Sequence, residues 1–299
     1  MPYIKYCNFR FGKAAKEIID LANGIISEYQ KDGYNLTLRQ LYYQFVARGL
    51  IRNNDKEYVK LGSILNRGRL AGLIDWEAIV DRTRFSRSIN HWASPERIIQ
   101  ASAEQYAVDT RADQDYYVEV WVEKDALIDV VEQVCNKEDV ACLSCRGYVS
   151  QTAIWEAAQR FIGAEDNGKE TILLHLGDHD PSGIDMSRDI QDRLDMFGSS
   201  VTVQRIALIM DQIEEYNPPP NPAKLTDSRC NKYIERYGEE SWELDALDPR
   251  TITGIIQENI EYYTDRNRKG DLENLQEAQR QQLLWIADNW RDVLGKKGE

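Results

Sequence analysis

The segment from Tyr116 to Leu208 alternates short strand-like runs with amphipathic helical stretches, and this alternation most constrains the fold. The strand-like runs are rich in β-branched and aromatic residues, and they span residues 116–123, 140–145, 170–178 and 201–208. Strands that alternate with helices predict a parallel, doubly wound α/β sheet. The proline-rich run at 217–222 is incompatible with helix or central strand, so it predicts a stiff surface connection before a helical C-terminal region.

The N-terminal part differs because its apolar residues recur at helical spacing. A first helix is predicted over residues 12–30. Thr37 is the expected N-cap of a second helix that Gly49 closes, and Asn54 or Asp55 is the expected N-cap of a third. In the third helix we expect four apolar side chains to face inward, namely Val59, Leu61, Ile64 and Leu65.

Residues 76–85 follow these helices and resemble the wing of a winged helix-turn-helix, although many three-helix bundles share the pattern. Residues 98–116 are polar and poorly periodic, so they predict a linker. The predicted organisation is therefore a winged-helix-like domain over 1–97, a linker over 98–116 and an α/β domain with C-terminal helices over 117–299.

Charge is distributed unevenly along the chain. Residues 37–97 contain eleven Lys and Arg against six Asp and Glu, a net charge of +5, whereas the whole chain carries −13, which leaves −18 on the remainder. A basic module on an acidic body indicates a local anion site such as a DNA-contacting face, although a solvated surface has the same composition. The residues expected to contact DNA are Lys60, Arg67, Arg69, Arg82, Arg84 and Arg146.

Composition narrows the cellular setting. The sequence contains no apolar run of the roughly 18 residues that a membrane-spanning helix requires, and its N-terminus lacks the apolar core of a secretion signal. Five cysteines at irregular spacing argue against a disulfide framework. We therefore expect a cytoplasmic, nucleoid-associated protein.

Three acidic residues lie where open α/β sheets bind ligands, beyond the carboxyl ends of strands. Glu123 ends the first predicted strand, and Asp178 and Asp180 follow the third. Clustered carboxylates repel one another unless a cation neutralises them, and hard oxygen ligands suit Mg²⁺ beside a phosphate. Each residue also has a structural interpretation: Asp180 before Pro181 as a helix N-cap, Asp178 as a turn residue, and Glu123 as an ion-pair partner of Lys124.

The combination of a glutamate at one strand end and Asp-X-Asp at a later one resembles the toprim signature. The blocks VEKDALIDVV, SCRGYVSQTA and GDHDPSGIDM resemble those of the topoisomerase VI A subunit and of its relative, the meiotic double-strand-break transesterase. The later segments RIALIMDQIEEYNPPPNPAKLTDSR and WELDAL, and the earlier LTLRQLYYQFVARG, resemble the same family in the same order. This chain is shorter than the usual A subunit of that family, and it most resembles the stand-alone topoisomerase mini-A proteins of mobile elements.

This resemblance implies a role for each matching residue. Tyr43 falls on the nucleophilic tyrosine, Arg39 on the arginine before it, and Glu123, Asp178 and Asp180 on the Mg²⁺ ligands. It implies a type IIB topoisomerase A-subunit-like enzyme that cleaves double-stranded DNA by tyrosine transesterification. It also implies a homodimer, with the tyrosine of one protomer facing the metal of the other, and a separate GHKL-type ATPase subunit for strand passage.

Two other functions remain open at this stage. A toprim nuclease would hydrolyse DNA with metal-activated water and leave Tyr43 idle, and a non-catalytic DNA-binding dimer would keep only the fold. Tyr42 and Tyr43 also have the ordinary interpretation of helix packing. Adjacent helical positions point about 100° apart, so only one of the two faces a given partner.

Overall fold

The computed structural model of the chain describes residues 3–80, 89, 91–223, 227 and 229–290. A four-stranded parallel sheet occupies the middle of the chain, in the order β2-β1-β3-β4. Its strands are β1 (Tyr116–Val122), β2 (Ala141–Ser144), β3 (Glu170–Leu176) and β4 (Thr202–Ala207). The predicted parallel α/β sheet is confirmed.

Strand β1 shows why the sheet is covered on both faces. Val118, Val120 and Val122 join one buried cluster, while Trp121 and Tyr117 belong to another on the opposite face. This alternation follows from the two-residue period of a strand. The helices α5 (Ile128–Glu138) and α10 (Pro249–Tyr262) supply residues to the first cluster, and α6 (Gln151–Asp166) and α7 (Pro181–Met196) to the second.

The N-terminal part begins with α1 (Lys13–Lys31), α2 (Leu38–Ala47) and α3 (Asp55–Leu70). Thr37 caps α2 through a reciprocal pair of hydrogen bonds with Gln40, and Asn54 caps α3 by accepting from the Glu57 backbone amide. Both predicted N-terminal starts are therefore confirmed.

The inward face predicted for α3 is confirmed only in part. Leu61 and Leu65 are buried and Ile64 is half-buried, but Val59 is 68% exposed, so its predicted inward position is wrong. Val59 lies two residues before Leu61, about 200° around the helix, and therefore points away from the core. The second half of the wing expected at 76–85 lies outside the described residues, and the winged-helix assignment remains a prediction.

The segment predicted as a linker is helical in its first half. Helix α4 (Pro95–Gln105) packs against α11 (Arg266–Asp288), whose Arg280 donates to the Ala103 and Tyr106 carbonyls. Its polar sequence misled the prediction because Ala103 is the one residue of α4 that is buried. Residues 98–105 of the predicted linker are therefore helical.

The remaining elements lie between β4 and α10: α8 (Met210–Tyr216), β5 (Asn221–Pro222), α9 (Cys230–Tyr237) and β6 (Glu240–Ser241). The proline-rich run is irregular up to Pro220, and its last two residues pair with β6 in an antiparallel ribbon. Among the described residues, no helix has the length and apolarity needed to cross a membrane.

The two parts of the chain meet at the segment between β6 and α10. The 3-10 turn Leu244–Ala246 contacts α2, and Ala246 belongs to the buried cluster of the N-terminal helices. Beside it, the Tyr29 hydroxyl donates to Asp248 at 2.6 Å, and the Tyr34 hydroxyl donates to Thr253 at 3.0 Å. This contact places α2, which carries Tyr43, next to the edge of the sheet.

Candidate functional site

The carboxyl ends of β1 and β3 bring Glu123 and Asp178 together. Glu123 extends β1 by one residue, since its backbone amide donates to the Leu176 carbonyl at 2.8 Å. Its Oε2 in turn accepts from the backbone amide of Asp178 at 2.8 Å. The sheet therefore positions both residues at one edge, as expected for neighbouring parallel strands.

Two glycines make room for this arrangement. A Cβ at Gly177 would lie 2.9 Å from Glu123 Oε2, and a Cβ at Gly183 would lie 2.2 Å from the Asp178 carbonyl oxygen. Both distances are too short for a real side chain. The backbone thus approaches the Glu123 carboxylate as closely as it does because these positions lack side chains.

Asp180 has the structural role that its sequence context allows. Its Oδ1 accepts from the Gly183 backbone amide at 2.6 Å, which makes it the N-cap of α7 with Pro181 in the first turn. Its charge also reaches the cluster: burial raises the pKa of Glu123, and the negative charge of Asp180 raises it further.

Asp178 is the most enclosed of the three carboxylates. Its Oδ1 accepts from the Leu244 backbone amide at 2.8 Å, and its Oδ2 lies 2.9 Å from Lys124 Nζ. Burial, with added repulsion from Glu123 and Asp245, raises the pKa of Asp178 to about 7 despite the neighbouring ammonium. This carboxylate therefore holds its negative charge at the expense of stability.

Lys124 is the central cation of the site. Besides Asp178, its ammonium contacts Glu243 Oε2 at 3.1 Å and Asp245 Oδ1 at 3.0 Å. Burial acts to lower the pKa of Lys124, but the surrounding carboxylates outweigh it and raise the pKa. The ammonium stays charged and joins the sheet edge to the turn Leu244–Ala246.

A second cation, Arg205 of β4, lies beneath the carboxylates. Its guanidinium donates to the Gly177 carbonyl at 2.8 Å, the Asp178 carbonyl at 2.6 Å and the Gly183 carbonyl at 2.9 Å. Burial lowers the pKa of Arg205, and the charges of the acidic cluster counteract that effect. Arg205 thus fixes the loop that carries Asp178 through the backbone.

Arg39 approaches the same turn from the N-terminal helices. Its Nε donates to Asp245 Oδ2 at 2.8 Å, and its Nη2 donates to Glu243 Oε2. Burial raises the pKa of Glu243, but Lys124 and Arg39 outweigh it and lower the pKa to about 2. Two cations from different parts of the chain therefore share one pair of carboxylates.

Tyr43 is 3% exposed and lies inside this network. The Arg39 guanidinium lies 5.7 Å from the centroid of its ring, and the charges of Asp245 and Glu243 act on its hydroxyl. Burial, followed by the charges of Asp245 and Glu243, raises the pKa of Tyr43. The adjacent Tyr42 is also buried, but its hydroxyl donates to Asn53 at 2.9 Å, away from the carboxylates.

The described residues among those expected to contact DNA have different surroundings. Lys60 is exposed and lies 3.6 Å from Glu57, and Arg67 lies over the rings of Phe9 and Phe11.

Arg69 is half-buried over Trp76, and burial lowers its pKa. Arg146 is exposed beside the sheet edge and pairs with Asp125 at 3.0 Å. Arg82 and Arg84 lie outside the described residues.

The three acidic residues of the site carry the type of ligand atom that Mg²⁺ prefers. Glu123, Asp178 and Asp180 supply hard carboxylate oxygens, and burial is the main cause that raises the pKa of Glu123 and of Asp178. Among the described residues, no three His, Cys, Asp or Glu side chains are already arranged to hold a metal ion. The physical reason is that Asp178 is turned toward Lys124 and Asp180 toward the α7 backbone.

Sequence reasoning missed four members of the site: Lys124, Arg205, Glu243 and Asp245. Lys124 was considered as a partner of Glu123, but its ammonium contacts Asp178 instead. Arg205 could have been found as a charged residue in the middle of a predicted strand, where an unpaired charge is costly. Glu243 and Asp245 lie in the segment WELDAL, whose resemblance gave them no role, and the fold brings them to Lys124 from far along the chain.

The chain was compared with models of known protein families, with curated proteins and with solved structures, and it matches none of them.

Proposed function

We propose that the chain binds double-stranded DNA and cleaves its backbone by transesterification, with Tyr43 as the nucleophile. The supporting observation is the network around Lys124. Through Glu243 and Asp245 it joins Tyr43 and Arg39 of the N-terminal helices to Asp178 at the sheet edge. A phenol, two cations and an acidic cluster in one connected site are the groups that phosphoryl transfer requires.

In the proposed reaction the Tyr43 oxygen forms a bond to phosphorus while one phosphorus–oxygen bond to deoxyribose breaks. The phenol loses its proton, and the departing deoxyribose oxygen gains one. Arg39 and Lys124 offset the negative charge that develops on the phosphate oxygens. Glu123, Asp178 and Asp180 would hold Mg²⁺, which supplies further neutralisation of that charge.

A homodimer and a separate ATPase subunit belong to the same proposal, because the resemblance to the topoisomerase VI A subunit implies both. In the single chain Tyr43 contacts the Glu243 of its own polypeptide. A site shared between protomers would therefore require the N-terminal helices to leave the turn Leu244–Ala246 and meet the acidic cluster of the partner.

Hydrolysis is the second candidate function, and the burial of Tyr43 favours it. A phenol that is 3% exposed and has a raised pKa is a poor nucleophile in this conformation. In a hydrolase the acidic cluster would act on DNA without any role for Tyr43.

One experiment separates these functions. Supercoiled plasmid is incubated with the protein and Mg²⁺, denatured, and analysed with and without protease for protein attached to broken ends. We expect Tyr43→Phe to abolish the covalent complex and Tyr42→Phe, an equally buried control, to retain it.

Breaks without attached protein in both variants would establish hydrolysis. Plasmid binding by the wild type, with no breaks and no change on Glu123→Gln, would establish a non-catalytic DNA-binding protein.

A further inference from the structure

An open cavity of about 430 Å³ lies between the N-terminal helices and the sheet, next to the proposed site. Its volume falls within the range of about 300–1,000 Å³ that is typical of small-molecule pockets. It shares Arg39 with the Lys124 network, and its far wall is formed by Asp125 and Ala126, which directly follow Lys124. Whatever binds there lies beside the proposed reaction centre.

The lining of this cavity combines apolar walls with a cationic rim. Leu38, Leu65, Ile79 and Val80 contribute the apolar part, together with the aromatic ring of Tyr58. Flat, apolar faces with few hydrogen-bonding groups on their edges fit such walls, as nucleobases do.

The polar groups include the cations Arg39 and Arg69 and the amide Asn66, together with Thr37 and the carboxylate of Asp125, which Arg146 partly neutralises. The Arg69 guanidinium lies 4.8 Å from the Trp76 ring, and its Nε is buried without a hydrogen-bond partner. A buried donor without an acceptor costs stability unless a ligand satisfies it. Two arginines at one rim can bind a phosphate, and Asn66 can pair with the edge of a base.

We propose that this cavity receives one unstacked nucleotide of the DNA substrate, with its base between the apolar walls and its phosphate toward Arg39 and Arg69. This inference rests on the proposed function, because it specifies the DNA that the same site binds. A stacked and paired base offers neither its faces nor its pairing edge, so the nucleotide must leave the helix before it enters. The protein should therefore prefer DNA in which one nucleotide already lies outside the double helix.

The test compares two fluorescent DNA duplexes, one fully paired and one with a single bulged thymidine, by anisotropy in EDTA so that no cleavage occurs. We expect the wild type to bind the bulged duplex at least about tenfold more tightly, because the cost of unstacking the nucleotide is already met. Asn66→Trp fills the cavity and should remove this preference. Val59→Trp, on the 68% exposed position of the same helix, is the matched control and should retain it.

Circular dichroism and thermal melting establish that both variants fold. Equal affinity of the wild type for the two duplexes, or a preference that survives Asn66→Trp, overturns the inference. Binding to neither duplex overturns it together with the proposed function. A bulge preference that depends on the cavity, in a protein that never cleaves DNA in Mg²⁺, refutes the proposed cleavage alone.

Discussion

Lys124 provides the sharpest test of the network, because one ammonium serves three carboxylates. Its side chain is 21% exposed, Asp245 is fully buried, and Asp178 is 11% exposed. Lys124→Met keeps most of the aliphatic stem and removes only the charge. The variant leaves the buried Asp178 without its cation and leaves Glu243 and Asp245 with Arg39 alone, and breaking a buried ion pair costs about 3 kcal/mol or more. We therefore expect the free energy of unfolding to fall by about 3 kcal/mol at pH 7.

Urea denaturation, followed by circular dichroism and tryptophan fluorescence, measures this loss. Lys60→Met is the matched control: its side chain is 61% exposed and its single partner is Glu57 at 3.6 Å, so we expect a change of at most about 0.5 kcal/mol. A loss below about 1 kcal/mol for Lys124→Met, or equal losses in both variants, would show that the ammonium does not hold the two parts of the chain together.

Three further predictions concern buried polar groups. Burial, with repulsion from Arg205, lowers the pKa of His175 to about 3 from 6.5. The unfolded chain therefore takes up this proton first, and the free energy of unfolding falls as the pH drops from 6.5 toward 3. In urea titrations between pH 4 and 6, His175→Asn should reduce the slope of that free energy against pH by about 1.4 kcal/mol per pH unit. Arg160→Ala removes both hydrogen bonds to the buried Glu119 and should cost about 3 kcal/mol by urea denaturation, whereas a loss under about 1 kcal/mol would contradict that role. Tyr29→Phe loses the 2.6 Å hydrogen bond to Asp248 and should cost about 1 kcal/mol in the same assay, and an unchanged midpoint would count against that contact.

Much of the fold follows from local signals in the sequence. The parallel sheet is predictable because each strand carries a run of β-branched and apolar residues and each crossover has helical periodicity. The starts of α2 and α3 are predictable because the side chains of Thr37 and Asn54 satisfy backbone amides that a helix leaves free. Helix α4 was not predicted because its sequence is mostly polar and Ala103 is its one buried residue.

The site is less accessible to prediction, because its members come from distant parts of the chain. The juxtaposition of Glu123 and Asp178 follows from a general rule, since the carboxyl ends of neighbouring parallel strands share one edge. The position of Glu243 between Lys124 and Arg39 depends on how the N-terminal helices dock on the turn Leu244–Ala246. How these helices dock depends on which side chains pack across the contact, and such packing produces no periodic pattern in the sequence.

The burial of Tyr43 and the pairing of Arg39 have the same cause. Glu243 and Asp245 pair with both Arg39 and Lys124. Their charges add to burial in raising the pKa of the Tyr43 phenol. Removing these carboxylates without a replacement would leave Arg39 and Lys124 as uncompensated charges, which is costly in a partly buried site. A DNA phosphate is also an anion and would compete with these carboxylates for the same two cations. Under the proposed function, a DNA phosphate would take the place of Glu243 and Asp245 beside Arg39 and Lys124, and the same exchange would expose Tyr43.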